Sequence, residues 1–428
     1  MQTSYPTLIG GCYALRCDSP KTGALSRSAR VSAPAPVVNA RASTLPLYAA
    51  GFVTAFGAHS IAAGMGAQSE NIGLTLLNLG ILLALYDVSE VFLKPVFGAL
   101  SDRIGTKPVI VGGLLAFAVL SLIGLWAADP LMLGLARLGQ GAAASAFSPA
   151  SSAMVARLAA GKKAGTYFGR YGSWKSLGYV IGPLLGAGLI LAGGFALLFG
   201  ALSVLAAGTA VWVLVSVPHL PPLPRQRYTV LDLARQVTER RFLVPTLVLA
   251  ASTGALGAAI GFIPALATRH GLGPVAGTAA VTVLAIASVL TQPWIGRLRD
   301  AHRISDNKGT TAGLLLTAAG VTLIALTPGP VTLFIAAAAI GAGVGLATPL
   351  GFAHLADTTP PERMGRTMGS AELGRELGDA GGPLLVGGIA TLTALPFGLG
   401  ALALLVAAAS IPRLPNAATP GPSAPHTR

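Results

Sequence analysis

The sequence predicts an all-α membrane protein, with twelve transmembrane helices arranged as two pseudo-symmetric bundles of six. Three observations lead there. Of 428 residues, 53% are hydrophobic and 10% are charged, whereas a soluble domain carries about 25% charged residues. Twelve apolar segments approach or exceed the ~20 residues that cross a bilayer core, and the loops between them alternate between basic and nearly base-free. Glycine, proline and charged positions recur at a spacing of 198–200 residues, as expected of two homologous halves.

The apolar segments fall at 45–67, 74–100, 108–128, 130–156, 166–192, 195–217, 242–268, 275–296, 309–327, 331–356, 366–392 and 395–412. Basic residues collect in every second loop. Arg103 and Lys107 follow the second segment, Arg157, Lys162 and Lys163 the fourth, and Arg297, Arg299, Arg303 and Lys308 the eighth; Arg363 and Arg366 follow the tenth. The linker after the sixth carries Arg225, Arg227, Arg235, Arg240 and Arg241, while the alternate loops, near 68–73, 129, 193, 269–274, 328–330 and 393, hold one basic residue, Arg269. Basic loops stay on the cytoplasmic side, so the alternation predicts an even number of spans in the cell membrane with both termini cytoplasmic.

The domain reading follows. Residues 1–44 form a cytoplasmic tail, expected to be disordered from its Ser, Ala and Pro content. Residues 45–217 form the first six-helix bundle, 218–241 a Pro-rich and then basic linker, 242–412 the second bundle, and 413–428 a C-terminal tail. In the tail, Leu8-Ile-Gly-Gly-Cys12 resembles a lipoprotein cleavage box but lacks the basic and apolar stretches that should precede one.

Several function classes are excluded. The net charge of +14 could signal nucleic acid, but the basic residues are spread over loops and aromatics are few, so topology accounts for the charge. Cys12 and Cys17 are the only cysteines, which leaves no thiol site. No paired-histidine spacing suggests a metal, no Walker lysine suggests ATP, and no nucleophile motif suggests a hydrolase. The chain is expected to be no enzyme, to need no cofactor, and to work as a monomer in the lipid bilayer.

The stretch Gly98-Ala-Leu-Ser-Asp102-Arg103-Ile-Gly105-Thr-Lys107 is a short polar turn between two spans. Gly98 and Gly105 permit close helix approach and a sharp bend, and Asp102 is an anion suited to a helix N-terminus. Its repeat runs from Pro293 to Asp300, 198 residues on. Lys163, Gly165, Gly169, Lys175, Leu177, Gly178, Gly182 and Pro183 return as Arg363, Gly365, Gly369, Arg375, Leu377, Gly378, Gly382 and Pro383 at a shift of 200.

The turn pattern G-x-L-x-D-R-x-G-x-K resembles the loop between helices 2 and 3 of the major facilitator superfamily. Two further stretches strengthen the resemblance. Leu133-x-x-x-Arg137-x-x-Gln140-Gly141 is similar to that family's helix-4 motif, whose arginine is linked to substrate binding or proton coupling. A cation in the bilayer interior costs at least ~2.5 kcal/mol unless it is paired or faces water, so Arg137 is either tied to backbone carbonyls or functional. Gly178-x-x-x-Gly182-Pro183-x-x-Gly186 resembles the helix-5 motif of proton-coupled antiporters, particularly the drug-efflux branch, with Ala187 in place of the usual second glycine.

The resemblance implies the major facilitator fold, with helix 2 beside helix 11 and helix 5 beside helix 8. It also implies a cytoplasmic gate of Gly98, Asp102, Arg103, Gly105, Lys107 and Asp300, in which Asp102 meets the N-terminus of helix 11 in the outward-open form.

Helix 2 carries Asp87, Glu90 and Lys94 on one face, and helix 11 carries Glu372, Arg375, Glu376 and Asp379 on nearly one face. Asp87 lies ~22 Å along the helix from Asp102, near mid-membrane. Two readings stand. Structurally, Glu90 pairs with Lys94 and Asp379 with Arg375. Functionally, acids left over exchange protons, and Asp87, Glu90, Glu376 and Asp379 are the candidates, with Asp87 leading. His59, Arg137, Gln140, Lys175 and Arg375 are the substrate-cavity candidates. His354, near the inner end of helix 10, reads as a packed polar group.

The expected function is alternating-access secondary transport: proton-coupled efflux of a small amphipathic or drug-like compound. The alternative is transport of a small organic or inorganic anion on Arg137, Lys175 and Arg375. A non-transporting sensor or membrane enzyme would need an extra domain or a catalytic constellation, and neither is present.

Overall fold

The computed structural model describes residues 40–68, 76–126, 130–159, 163–220, 238–326 and 329–415. Those residues form twelve α-helices. The first four are α1 (Ala40–Gln68), α2 (Leu76–Ile104), α3 (Thr106–Gly124) and α4 (Pro130–Ala159). A hydrogen-bonded run over Ala164–Ser216 is broken at Gly193 and at Gly194, whose φ of 68° favours glycine. It therefore divides into α5 (164–192) and α6 (195–216). The second half holds α7 (Arg240–Arg269), α8 (Gly273–Asp300), α9 (Asp306–Leu326), α10 (Pro330–Thr358), α11 (Met364–Leu392) and α12 (Leu395–Ala408), with a 3-10 turn at Pro361–Arg363. Helices α3, α7, α8, α9 and α10 and the run Ala164–Ser216 are each long and apolar enough to cross a membrane.

The helix ends differ from the sequence expectation by up to five residues. Helix α1 begins at Ala40, five residues early. Helix α12 stops at Ala408, short of 412, where Ser410 and Ile411 donate tightened turn bonds to Ala407 and Ala408. Pro412 disfavours helical geometry in the residue before it. The tail through residue 39 with Cys12 and Cys17, the loop 69–75, Lys162, linker residues 221–237 and everything beyond 415 lie outside the described residues.

Helix pairing repeats between the halves. Helix α1 packs on α5 as α7 packs on α11; α2 packs on α4 as α8 packs on α10; α3 packs on α4 as α9 packs on α10. Two apolar clusters result, one drawn mainly from residues 47–217 and the other from 248–406. Between the halves, α2 lies against α11 and α5 against α8, as the resemblance implies.

Glycine sets how closely these pairs approach, since small residues let helix backbones meet in lipid. A Cβ on Gly178 would lie 2.8 Å from that of Ala55, and one on Gly186 would lie 2.7 Å from that of Ser60, so the helix-5 glycines form the seat of α1. Gly378 and Gly382, the repeats of Gly178 and Gly182, seat α7 in the same way, against the backbone of Ala250 and Gly254. Gly382→Val should lower the thermal midpoint of the purified protein by several degrees, because backbone on the facing helix must move. Gly388→Val, with open space beside it, should leave the midpoint unchanged.

Candidate functional site

At the end of the bundle that carries the basic loops, two carboxylates join the halves. Asp102, in the last turn of α2, accepts hydrogen bonds from the backbone N–H groups of Gly365 (2.7 Å) and Arg366 (2.9 Å) at the start of α11. Asp300, at the end of α8, accepts from Gly165 (2.9 Å) and Thr166 (2.7 Å) at the start of α5. A helix N-terminus presents unsatisfied donors and partial positive charge, so each aspartate caps a helix of the opposite half. The approach needs glycine: a Cβ on Gly98 would sit 2.5 Å from the Gly365 carbonyl oxygen.

Gly105 makes the bend into α3 with a φ of 98°. Lys107 bonds the Val217 carbonyl at 2.7 Å and so fastens this turn to the end of α6. Arg103, next to Asp102 in sequence, is exposed and makes no ion pair among the described residues. His354 is buried at the same end, its Nδ1 3.1 Å from Asp306. Arg299 binds that aspartate at 2.6 Å and Asp357 at 2.7 Å. His354 is thus a packed polar group, as expected.

Deeper in the bundle, eight residues or ~12 Å along α2 from Asp102, a chain of ionic contacts crosses between the halves. The Lys94 ammonium is fully buried and sits 2.6 Å from Glu90 and 2.7 Å from Glu376. Arg375 reaches Glu376 at 2.8 Å and Glu372 at 3.5 Å, and donates to the Tyr179 hydroxyl at 3.0 Å. Lys175 closes the chain on Glu372 at 2.8 Å. Three acids and three bases alternate along it, so the assembly is neutral as a whole.

This geometry revises several expectations. Glu90 pairs with Lys94 as expected, but Asp379 does not pair with Arg375. At 100° per residue, Asp379 lies along the helix face, yet the guanidinium turns to Glu376 and Glu372, which Lys94 and Lys175 also hold in place. Glu90 and Glu376 are therefore committed to cations, and Lys175 and Arg375 to carboxylates. Gln140 does not line the cavity: it is wholly buried and donates to the Ser121 hydroxyl at 2.9 Å, tying α4 to α3.

Above the ionic chain lies a polar chamber between the halves, enclosing about 560 Å³ of non-protein space counting the part open to solvent. His59, Asp87, Arg137 and Asp379 face it. Arg137 is 2% exposed, and its Nε and Nη1 have no hydrogen-bond partner. It lies over the Tyr86 ring at 4.3 Å, a cation–π contact, and no carbonyl tie is present among the described residues. Asp87 and Asp379 likewise have neither ion pair nor hydrogen bond among them.

His59 and Tyr179, whose rings are 4.2 Å apart, also form part of the wall of a second space of about 670 Å³, lined largely by apolar side chains of α5, α7 and α8 such as Leu184, Ile260 and Val281. Tyr86 and Tyr179 were not among the sequence candidates. Tyr179 was within reach, because the shift of 200 that pairs Lys175 with Arg375 also pairs Tyr179 with Asp379. Nothing in the local sequence marks Tyr86.

The chain resembles known proteins over most of its length. The family model of the Major Facilitator Superfamily matches residues 47–305 and 246–426. A chloramphenicol resistance protein of Pseudomonas aeruginosa is 30% identical over 264 residues, 60% of this chain and 61% of that one, which is less than two thirds of its length. The multidrug resistance protein MdtH of Enterobacter sp. (strain 638) is 27% identical over 328 residues, covering 73% and 77%. Among solved structures, the human organic anion transporter MFSD10 superposes with a TM-score of 0.71 at 18% identity, over 87% of this chain and 99% of that one. FucP in its outward conformation gives 0.73 at 16% identity over 86% and 97%.

The ionic chain makes a direct prediction. Lys175→Met removes the closer of the two cations on the buried Glu372 and leaves only Arg375 at 3.5 Å; breaking a buried pair costs up to ~3–5 kcal/mol, so the variant should lower the thermal midpoint markedly. Lys175→Met combined with Glu372→Met should recover most of that loss, as a double-mutant cycle of melts will show.

Proposed function

The chain belongs to the Major Facilitator Superfamily; it is a membrane transporter and not an enzyme, and from that premise we propose that it exports a small amphipathic compound in exchange for protons. The basic loops then face the cytoplasm, both termini lie there, and a single chain is the working unit. The two halves rock about the central chamber, and ligand and proton shift the balance between the two open forms by their differential affinity.

The observation that carries this reading is the pair of uncommitted carboxylates, Asp87 and Asp379, in a chamber whose other acids are held by cations. Asp87 faces Arg137 from α4 and Glu376 and Asp379 from α11, with Glu90 and Lys94 on its own helix; Asp379 has Arg375 and Glu376 beside it. A carboxylate with no fixed partner is free to take a proton from one side and release it to the other. Asp102 and Asp300 serve as latches that hold the cytoplasmic side shut, and the glycine-seated α1–α5 and α7–α11 pairs move as units. The names of the relatives extend the reading to antibiotics such as chloramphenicol. The alternative of an anion carried on Arg137, Lys175 and Arg375 loses two of its three cations, since Lys175 and Arg375 are already bound.

In everted vesicles, an imposed pH gradient should drive accumulation of chloramphenicol or another accepted drug, and a protonophore should abolish it. Asp87→Asn and Asp379→Asn should each reduce gradient-driven flux at least tenfold at unchanged expression. Flux indifferent to the gradient would refute proton coupling.

A further inference from the structure

Among the described residues, three charged side chains lining the chamber have neither an ion pair nor a hydrogen bond: one cation, Arg137, and two acids, Asp87 and Asp379; His59, on the same wall, makes a ring contact with Tyr179. Every other ionised group lining it is spoken for within the ionic chain. Arg137 is the most unusual of the three. It is 2% exposed, its Nε and Nη1 have no hydrogen-bond partner, and each belongs to one of the two edges, Nε with Nη2 and Nη1 with Nη2, on which a guanidinium holds a carboxylate through two bonds. The Tyr86 ring beneath it holds the group in place without using any donor.

The second observation is independent of charge. The polar chamber and the apolar space share His59 and Tyr179 on their walls, so the two spaces adjoin at these rings. Leu184, Ile260, Val281 and Leu284 give that space a surface suited to an aromatic or aliphatic body.

We propose that the chamber takes an amphipathic zwitterion: its carboxylate on Arg137, its ammonium group on one of the two free aspartates, and its apolar body beyond His59 and Tyr179. This deepens the transport reading above and rests on it for the site's purpose. The charge count selects the class. A lipophilic cation would satisfy an aspartate and leave Arg137 bare in a low-dielectric site. A simple anion would satisfy Arg137 and face two carboxylates. A zwitterion satisfies Arg137 and one aspartate, and leaves the other acid for the coupling proton.

The test uses the intact protein in nanodiscs without any ion gradient, and three fluorescent probes that differ only in charge. Nε-dansyl-lysine is the zwitterion, its methyl ester the cation, and its Nα-acetyl derivative the anion. Fluorescence above that of empty nanodiscs should saturate with the zwitterion, and the other two should bind at least tenfold more weakly. Arg137→Gln should lower zwitterion binding to the level of the ester and leave the ester unchanged, while Arg137→Lys should recover only part of the loss. At least one of Asp87→Asn and Asp379→Asn should lower zwitterion binding to the level of the acetylated probe.

Equal or tighter binding of the ester, no binding of any probe, or indifference to both aspartate variants would overturn the assignment. The comparison among probes on unmutated protein stands even if an Arg137 variant fails to fold. Flux that follows a pH gradient with no preference for the zwitterion refutes this assignment alone. Preference for the zwitterion with gradient-independent flux refutes proton coupling alone.

Discussion

Charge in a low-dielectric interior is the constraint on which the rest of this structure depends. A lysine or glutamate at membrane depth persists only when a partner or water meets it. Lys94, Lys175 and Arg375 are each met by carboxylates, and the partners come from both halves: Lys94 on α2 and Lys175 on α5 reach Glu376 and Glu372 on α11. The contacts that make these ions tolerable therefore also decide how the halves face each other. Separating the halves at this level leaves Lys175 without its carboxylate, so the observed arrangement is held by electrostatics as well as by packing.

Close backbone approach makes that electrostatics possible. The α2–α11 and α8–α5 seams are built from glycines at repeat-related positions, Gly98 with Gly365 and Gly296 with Gly165, where any side chain would collide with a facing carbonyl. Only at that spacing can the carboxylates of Asp102 and Asp300 reach the amide groups that begin the opposite helices. One half's turn caps the other half's helix, twice over. The repeat in the sequence is thus a repeat of interface chemistry.

Above this seam the pseudo-symmetry lapses. Arg137 has Ala337 at the equivalent place in α10, and Asp379 answers to Tyr179 in α5. A scaffold could be built from two identical halves, but a chamber that distinguishes the two ends of a ligand needs them to differ. The uncommitted groups lie where the copies have diverged, whereas Gly178, Gly182 and Pro183 of α5 return unchanged as Gly378, Gly382 and Pro383 of α11.

Much of this was legible in the chain itself. Twelve apolar runs, alternating basic loops and the shift of 200 residues determined the span count, the two halves and the seam glycines, because hydropathy and helix approach are local properties of residue type. Glu90 with Lys94 was readable too, since four residues apart on a helix are neighbours whatever surrounds them.

What only the tertiary structure decided was the partner of each remaining charge. Arg375 stands beside Glu372, Glu376 and Asp379 on its own helix, and spacing alone favours none of them; Lys94 and Lys175, more than 190 residues away in sequence, settle the choice by bringing Glu376 and Glu372 into place. Gln140 and Arg137 sit three residues apart on α4, yet one is sealed against α3 and the other faces open space. Charge pairing in a membrane acts over a few ångströms between elements far apart in sequence, and only the folded arrangement supplies that proximity.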